Sequence, residues 1–215
     1  MVKNKLNGRY ELYQGGQLIH VDTVPGWLLS DDYLKSIVMK FNLRCFQLSL
    51  GDVVVDIGAG TGTEAIIFSK MIGPEGRVHA IECHPETFKS LETLIIKGGY
   101  SNIQAHQWAI GNENGTVWFQ DEYAHQKNAL MDQVSSQDKS ISVPMRTLDQ
   151  FVFENGIDRI DFLKVNIEGA ELHMLEGMEQ SVSIIKTAAI SCHDFIEGDN
   201  GYFIMSSVRD FFEKK

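Results

Sequence analysis

The sequence predicts an α/β fold, in which a doubly wound parallel sheet carries helices on both faces and one inserted antiparallel hairpin. One observation is the β-branched run Val53–Val55, which is typical of a strand buried on both faces. Another is the glycine-rich segment 58–62 directly after it, followed by a helical pattern from Ala65 to Met71. Further short apolar strands alternate with helical segments along the chain, which favours parallel strands joined by helices.

Size and composition limit the class of protein. The 215 residues and the 43% hydrophobic content predict one domain overall with a substantial core. Within it, residues 1–50 are expected to form an N-terminal brace and helix, and residues 51–215 the ligand-binding core. The 29 acidic residues against 19 basic ones give a net charge of -10, which disfavours nucleic acid and anionic membranes as partners.

Cysteine usage and the N-terminus favour a cytoplasmic protein. Cys45, Cys83 and Cys192 are far apart, which does not suggest a disulfide framework or a cysteine-based metal site. Residues 1–13 lack the apolar stretch of an export signal, and no segment approaches the length of a membrane span.

Caps and turns place the remaining elements. Ser30 is expected to cap a helix that continues to Cys45, and His84-Pro85 to open another helix that stops at Gly98-Gly99. The further core strands are predicted at 77–82, 102–109, 160–167 and 184–193, and the hairpin strands at 115–119 and 140–144. Helices are predicted at 147–153, from Glu168 onward and at 206–213.

Two regions of the chain lack predicted regular structure. The polar segment 121–139 is long for a connection in a compact domain, so we expect a mobile loop near the substrate. No strand is predicted after residue 193, so the hairpin that usually finishes such a sheet is expected to be missing. The sheet edge is then expected to be short, covered by the N-terminal segment, or paired with another molecule, which would make a homodimer.

The segment Asp56–Gly62 predicts a nucleotide-type ligand. Dinucleotide sites use G-x-G-x-x-G, but here the frame is D-x-G-x-G-x-G, and Thr63 occupies the place of the third dinucleotide glycine. The frame resembles motif I of the S-adenosylmethionine-dependent methyltransferases, whose cationic ligand would give Asp56 an electrostatic role. The alternative is a glycine-rich turn without a ligand.

Residues at the ends of the second and third strands extend this predicted site. Glu82 ends a strand and is placed to accept hydrogen bonds from ribose hydroxyls, the alternative being a solvated carboxylate. Gln107 and Trp108 lie where an adenine would be expected, although Trp108 is equally well explained as a core aromatic. The predicted cofactor-binding residues are Asp56, Gly58, Ala59, Gly60, Gly62, Glu64, Glu82, Cys83, Gln107, Trp108 and Asn166.

A second motif carries a more specific resemblance. The segment Leu163–Leu172, read with Asp56–Gly62 and Val143–Asp149, resembles the FkbM-type methyltransferases, whose pattern is K-[IV]-D-[IV]-E-G-x-E preceded by a strand and T-L-D. The resemblance covers about residues 51–193. It implies a Rossmann-like fold and S-adenosylmethionine-dependent O-methylation of a hydroxyl on a small molecule or glycan.

One residue departs from the family pattern. Asn166 stands where the family has aspartate, and an amide is neither a general base nor a strong ligand for a hard cation. The predicted catalytic residues are therefore His193, Glu168 and Asn166, with His193 accepting the hydroxyl proton. No metal is predicted, and a metal site built from Glu168 and Asp194 is the competing interpretation.

Each of these assignments has a structural alternative. Glu168 could be a supporting hydrogen-bonding residue, and His193 a structural histidine at a strand end. Glu171 and His173 are interpreted as residues of a solvated helix face. At the level of function, the alternatives are an NAD-linked oxidoreductase, disfavoured by Thr63 and by the lack of a Tyr-x-x-x-Lys pair, and a cofactor-binding or partner-stabilising subunit without catalytic activity.

Overall fold

The computed structural model describes residues 2–3, 10–14, 17–21, 31–120, 130–131, 140–193 and 204–214. The chain forms two compact units, Met1–His106 and Gln107–Lys215. The predicted division at residue 50, into a brace and a core, stays a prediction.

The first unit contains an N-terminal antiparallel sheet and a parallel α/β segment. Its elements in chain order are β1 (Val2–Lys3), β2 (Tyr10–Gln14), β3 (Gln17–Val21), α1 (Asp31–Phe41), β4 (Val53–Ile57), α2 (Thr63–Ile72), β5 (Arg77–Ile81), α3 (Pro85–Gly98) and β6 (Ile103–His106). Strands β1 to β3 pair antiparallel, and β5 pairs parallel with both β4 and β6. α1 packs against α2, and β3 contacts α3. The predicted cap Ser30 lies outside the described residues.

The sequence accounts for the local structure of this unit. Val54 and Val55 are fully buried in β4, as their β-branched run predicts. α3 begins at Pro85 after the N-cap His84, and it ends at Gly99 in a left-handed conformation. The predicted third strand is shorter than expected, because β6 ends at His106 and does not continue to Ala109.

The second unit contains a mixed four-stranded sheet and a parallel strand pair. Its elements are β7 (Ala109–Ile110), β8 (Gly115–Gln120), β9 (Leu130–Met131), β10 (Ser140–Arg146), α4 (Leu148–Glu154), β11 (Phe162–Val165), α5 (Glu171–Glu176), a 3₁₀ helix (Ser181–Ile184), β12 (Ala188–Ile190) and α6 (Ile204–Glu213). β10 pairs antiparallel with β8, which confirms the predicted hairpin, and parallel with β7. β11 and β12 pair parallel.

These results confirm the predicted α/β class. Among the described residues, parallel pairing joins three strands in the first unit, and it joins β11 with β12 and β7 with β10 in the second. After β12, residues 191–193 and 204–214 contain α6 and no strand. Most of the predicted mobile segment 121–139 lies outside the described residues, as does Asp194. None of the described helices has the length and apolar character needed to cross a bilayer.

Candidate cofactor and base sites

The loop after β4 takes the backbone conformations that only its glycines tolerate well. Gly58, Gly60 and Gly62 have φ values of 76°, 57° and 91°, all in the left-handed region. α2 begins at Thr63, with Gly62 as its N-cap, so the predicted order of strand, tight turn and helix start is observed. The alternating glycines are therefore a backbone requirement of this turn.

Hydrogen bonds join this loop to the end of β5. The N–H groups of Gly58 and Ala59 both donate to the carbonyl oxygen of Ile81 at 2.9 Å. The Glu82 carboxylate accepts from the Gly60 N–H through Oε2 at 2.9 Å and from the His84 N–H through Oε1 at 2.8 Å. Glu82 therefore holds the loop in place, in addition to its predicted role as a ribose acceptor. Sequence reasoning missed this structural role.

The space around the loop differs from one glycine to the next. A Cβ built at Gly60 would have no atom within 4 Å, whereas one at Gly62 would lie 2.6 Å from Leu91 Cδ1 and 2.9 Å from Leu94 Cδ2. Gly62 therefore allows α2 to pack closely on α3. Gly60 borders open space, as expected for a loop that a ligand approaches.

The other predicted residues of the first unit have identifiable surroundings. Asp56 is fully buried in β4, and Glu64 in the first turn of α2 accepts a hydrogen bond from the Asn42 side-chain amide at 2.6 Å. Burial, with the Glu82 charge beside it, raises the pKa of the Cys83 thiol to about 12. Cys83 is therefore a neutral thiol, and any ligand contact it makes is made in that form.

In the second unit, Trp108 is held between two side chains. Its ring meets Phe151 edge-on with centroids 5.6 Å apart, and the Arg146 guanidinium lies 5.2 Å from its centroid. Gln107 and Trp108 interrupt the strand that was predicted to run to Ala109, and both are half-buried. These contacts agree with the core-aromatic interpretation, and the adenine role stays a prediction.

The turn after β11 differs from the prediction of a helix beginning at Glu168-Gly169. α5 begins at Glu171, because Glu168 and Gly169 have φ values of 52° and 102°, which do not fit a right-handed helix. Glu168 is the single non-glycine residue with positive φ among the described residues. Such conformations cluster at functional sites, so the outlier supports a site role for Glu168.

Asn166 lies between β11 and this turn. It is half-buried, and within the described part of the chain its amide makes no hydrogen bond. Its predicted contact with the cofactor stays a prediction.

His193 lies between two carboxylates. Its Nδ1 is 2.7 Å from Glu171 Oε1, and its Nε2 is 3.6 Å from Glu168 Oε2. His193 and Glu171 are both buried, whereas the Glu168 side chain is 31% exposed. The interpretation of Glu171 as a solvated residue is wrong, because this carboxylate is fully buried against an imidazole 22 positions away in sequence. The signal that could have found it is its place in the E-G-x-E motif.

The T-L-D segment of the family pattern has a structural role here. Thr147 caps α4, accepting a hydrogen bond from the Gln150 N–H at 3.0 Å, and Leu148 is fully buried. Asp149 accepts from the N–H and the hydroxyl of Ser181 at 2.7 and 2.6 Å. Burial opposes ionisation, but these bonds and those from the neighbouring backbone lower the pKa of Asp149. The segment therefore joins α4 to the 3₁₀ helix.

The first-unit residues fit the predicted S-adenosylmethionine in their chemistry. Gly60 leaves space for a ligand against the loop, and the Glu82 carboxylate has the chemistry to accept hydrogen bonds from ribose hydroxyls.

Comparison with known proteins gives a consistent family. Residues 56–215 match the model of the methyltransferase FkbM domain. The solved structure of an FkbM methyltransferase from Methylobacillus flagellatus KT superposes with a TM-score of 0.56 at 19% identity, covering 79% of this chain and 39% of that one. This likeness shows the fold.

Curated relatives match over shorter stretches. Methyltransferase 1 of Beauveria bassiana is 26% identical over an alignment of 145 residues, and the match covers 59% of this chain and 58% of that protein. Protein-L-isoaspartate O-methyltransferase of Methanococcus maripaludis is 34% identical over 72 residues, 33% of this chain and 34% of the relative. The chain thus spans between one third and three fifths of the length of these two relatives.

Proposed function

The chain belongs to the methyltransferase FkbM family, and from this premise we propose that it transfers a methyl group to a hydroxyl oxygen of a small molecule or glycan. The predicted cofactor, S-adenosylmethionine, is confirmed at the level of the family. When bound, this cofactor supplies a methyl carbon activated by a sulfonium, and an attacking oxygen displaces the sulfur as a neutral thioether.

The first unit supplies the groups proposed to hold the cofactor. The loop of Gly58, Gly60 and Gly62 brings backbone to the ligand without side chains in the way, and Glu82 accepts hydrogen bonds from the ribose. Asp56, buried in β4, contributes a negative charge toward a cationic ligand. Holding the reactants in position can supply roughly 7–11 kcal/mol of the barrier.

The observation that carries the oxygen-acceptor assignment is the arrangement of His193. It is a buried imidazole whose Nε2 faces the partly exposed Glu168 at 3.6 Å. An imidazole is a natural acceptor for a hydroxyl proton, and general-base catalysis contributes about 10²–10⁴-fold. The proton of the acceptor hydroxyl is proposed to pass to His193 Nε2 as the new O–C bond forms.

Asn166 supports the assignment of His193 as the base by excluding an alternative. It cannot titrate, so the residue at the family's aspartate position is not the base in this chain. Asn166 also motivates the second candidate function, a subunit that keeps the cofactor loop without turnover.

The experiment measures methyl incorporation from isotopically labelled S-adenosylmethionine into an extract of the source organism by mass spectrometry. His193→Ala is expected to lower the rate about 10²–10⁴-fold while calorimetry shows unchanged S-adenosylhomocysteine affinity. His173→Ala is the matched control, since His173 is a surface histidine with a side chain 53% exposed, and it should turn over normally.

Two further variants separate the alternatives. Glu168→Gln tests the role of the carboxylate that faces Nε2. In a separate measurement, chelators should not inhibit the parent protein, because no metal is proposed at this site. Normal turnover by His193→Ala would refute the base assignment. If the parent is inactive and Asn166→Asp turns over only with added magnesium, the second candidate function is correct.

A further inference from the structure

Glu171 is a buried acid with no role in the chemistry proposed so far. We infer that Glu171 is a positioning residue, which fixes the orientation and the tautomer of His193 so that Nε2 is the nitrogen that accepts a proton. This inference rests on the proposed function, because it concerns the same imidazole. It adds a residue that the motif carries but whose task the sequence did not disclose.

Of the two carboxylates near His193, one lies within hydrogen-bond distance of the ring and the other does not. Glu171 Oε1 is 2.7 Å from Nδ1, the length of a charge-assisted hydrogen bond. Glu168 Oε2 is 3.6 Å from Nε2, beyond the range of a direct hydrogen bond. The ring is therefore tied to Glu171 on one side, while its other nitrogen points toward a carboxylate that is partly exposed.

The burial of Glu171 is unusual for an acid without a catalytic contact. Its side chain is completely inaccessible, and Oε2 has no hydrogen-bond partner among the residues that the structure describes. Burying a carboxylate costs several kcal/mol unless hydrogen bonds compensate. A purely structural position would be filled more favourably by an apolar side chain, so the acid at this position indicates a role toward His193.

A second pair of an acid and a histidine lies on α5 and can be compared with Glu171 and His193. His173 Nδ1 and Glu176 Oε2 are 3.9 Å apart, and both side chains are more than half exposed. Exposed pairs of this kind contribute little to stability and do not fix a ring. The 2.7 Å distance and the complete burial therefore distinguish Glu171 from an ordinary helical acid.

The consequence for the imidazole follows from donor and acceptor chemistry. If Glu171 is ionised, its carboxylate can only accept, and the inference then places the proton of this bond on Nδ1. In the neutral ring the other nitrogen, Nε2, is then the acceptor. When Nε2 takes a proton, the positive ring lies beside the Glu171 carboxylate, which stabilises the charged product of that step.

The test reads the tautomer directly. In protein with ¹⁵N-labelled histidine, and with His193→Ala to assign the signal, the neutral form of the His193 ring should show a protonated Nδ1 and an unprotonated Nε2. Glu171→Leu removes the acceptor at similar volume and should shift this signal, whereas the matched control Glu176→Leu should not. Methyl incorporation in the extract assay should fall about 10²–10⁴-fold in Glu171→Leu, with S-adenosylhomocysteine affinity kept.

A second variant covers the case in which Glu171→Leu does not fold. Glu171→Asp keeps the charge on a shorter side chain, so the Nδ1-protonated signal should persist with an intermediate rate. An unchanged tautomer and rate in Glu171→Leu, or a neutral parent ring with its proton on Nε2, would overturn the inference. A changed tautomer with an unchanged rate would overturn the assignment of His193 as the base, and with it the catalytic part of the inference, although the contact would stand.

Discussion

Three glycines with left-handed backbones allow the ligand role of the loop to be separated from its packing role. Gly60, Gly62 and Gly99 have φ values of 57°, 91° and 69°. Alanine at any of them should cost about 1–2 kcal/mol of folding free energy, because a Cβ is unfavourable in this conformation. Gly99 ends α3, away from the loop, and measures this backbone cost by itself.

Packing adds a second cost at Gly62. Its new methyl group would lie 2.6 Å from Leu91 Cδ1 and 2.9 Å from Leu94 Cδ2, and both leucines are fully buried. Overpacking a filled core costs about 1–3 kcal/mol. Gly62→Ala should therefore lose about 2–5 kcal/mol of folding free energy in total. In Gly60→Ala and Gly99→Ala the new Cβ atoms meet nothing within 4 Å. These two variants should lose the same amount as each other, and less than Gly62→Ala.

The assay combines urea denaturation with calorimetry of S-adenosylhomocysteine binding. Gly60→Ala should weaken binding tenfold or more, since its methyl group enters the open space beside the loop, and Gly99→Ala should bind normally. Equal affinities in these two variants would refute the assignment of the loop as the cofactor site. Equal stabilities of Gly62→Ala and Gly99→Ala would refute the packing argument.

Three further predictions concern Glu82, the pair His79 and His106, and Asp149. Glu82→Ala should weaken S-adenosylhomocysteine binding by roughly 1.5–3 kcal/mol in calorimetry, with the exposed Glu86→Ala as a neutral control, and unchanged affinity would rule out the ribose assignment. The pKa of His79 is lowered to about 4, first by burial and then by repulsion from His106. Burial lowers the pKa of His106 to about 4 as well. The unfolded chain therefore binds more protons than the folded protein between pH 4 and 6.5. The free energy of unfolding should therefore be highest above pH 6.5 and fall by up to about 3 kcal/mol per ring toward pH 4. An unfolding free energy that does not change with pH in urea titrations would contradict this. Asp149→Ala should lower the free energy of unfolding in urea by about 1–2 kcal/mol, because the Ser181 N–H and hydroxyl lose their acceptor, and an unchanged unfolding free energy would show that these hydrogen bonds contribute nothing net.

The sequence predicted features whose signals are local. The strand at Val53, the glycine turn and the caps at His84 and Gly99 all follow from neighbouring residues, and the structure shows each of them. The hairpin strands predicted at 115–119 and 140–144 correspond to β8 and β10, which pair antiparallel. These elements need no knowledge of distant contacts.

Features that depend on distant partners were predicted poorly. Residues 102–109 have no glycine or proline to mark an interruption, yet Ala109 leaves the predicted strand to pair with Met145 on β10. Glu171 looked like a surface acid because its partner, His193, lies on another element. The helix expected at Glu168 is displaced by a left-handed backbone that no local rule assigns to glutamate.

The two backbone bonds of Glu82 also bear on the kinetics of ligand binding. One carboxylate cross-links the loop after β4 to the chain after β5, through the amides of Gly60 and His84, using protein atoms alone. These two amides should therefore exchange slowly with deuterated solvent in the ligand-free protein. A loop ordered in this way loses little further entropy when a ligand arrives, so association should proceed in one step without a preceding conformational change.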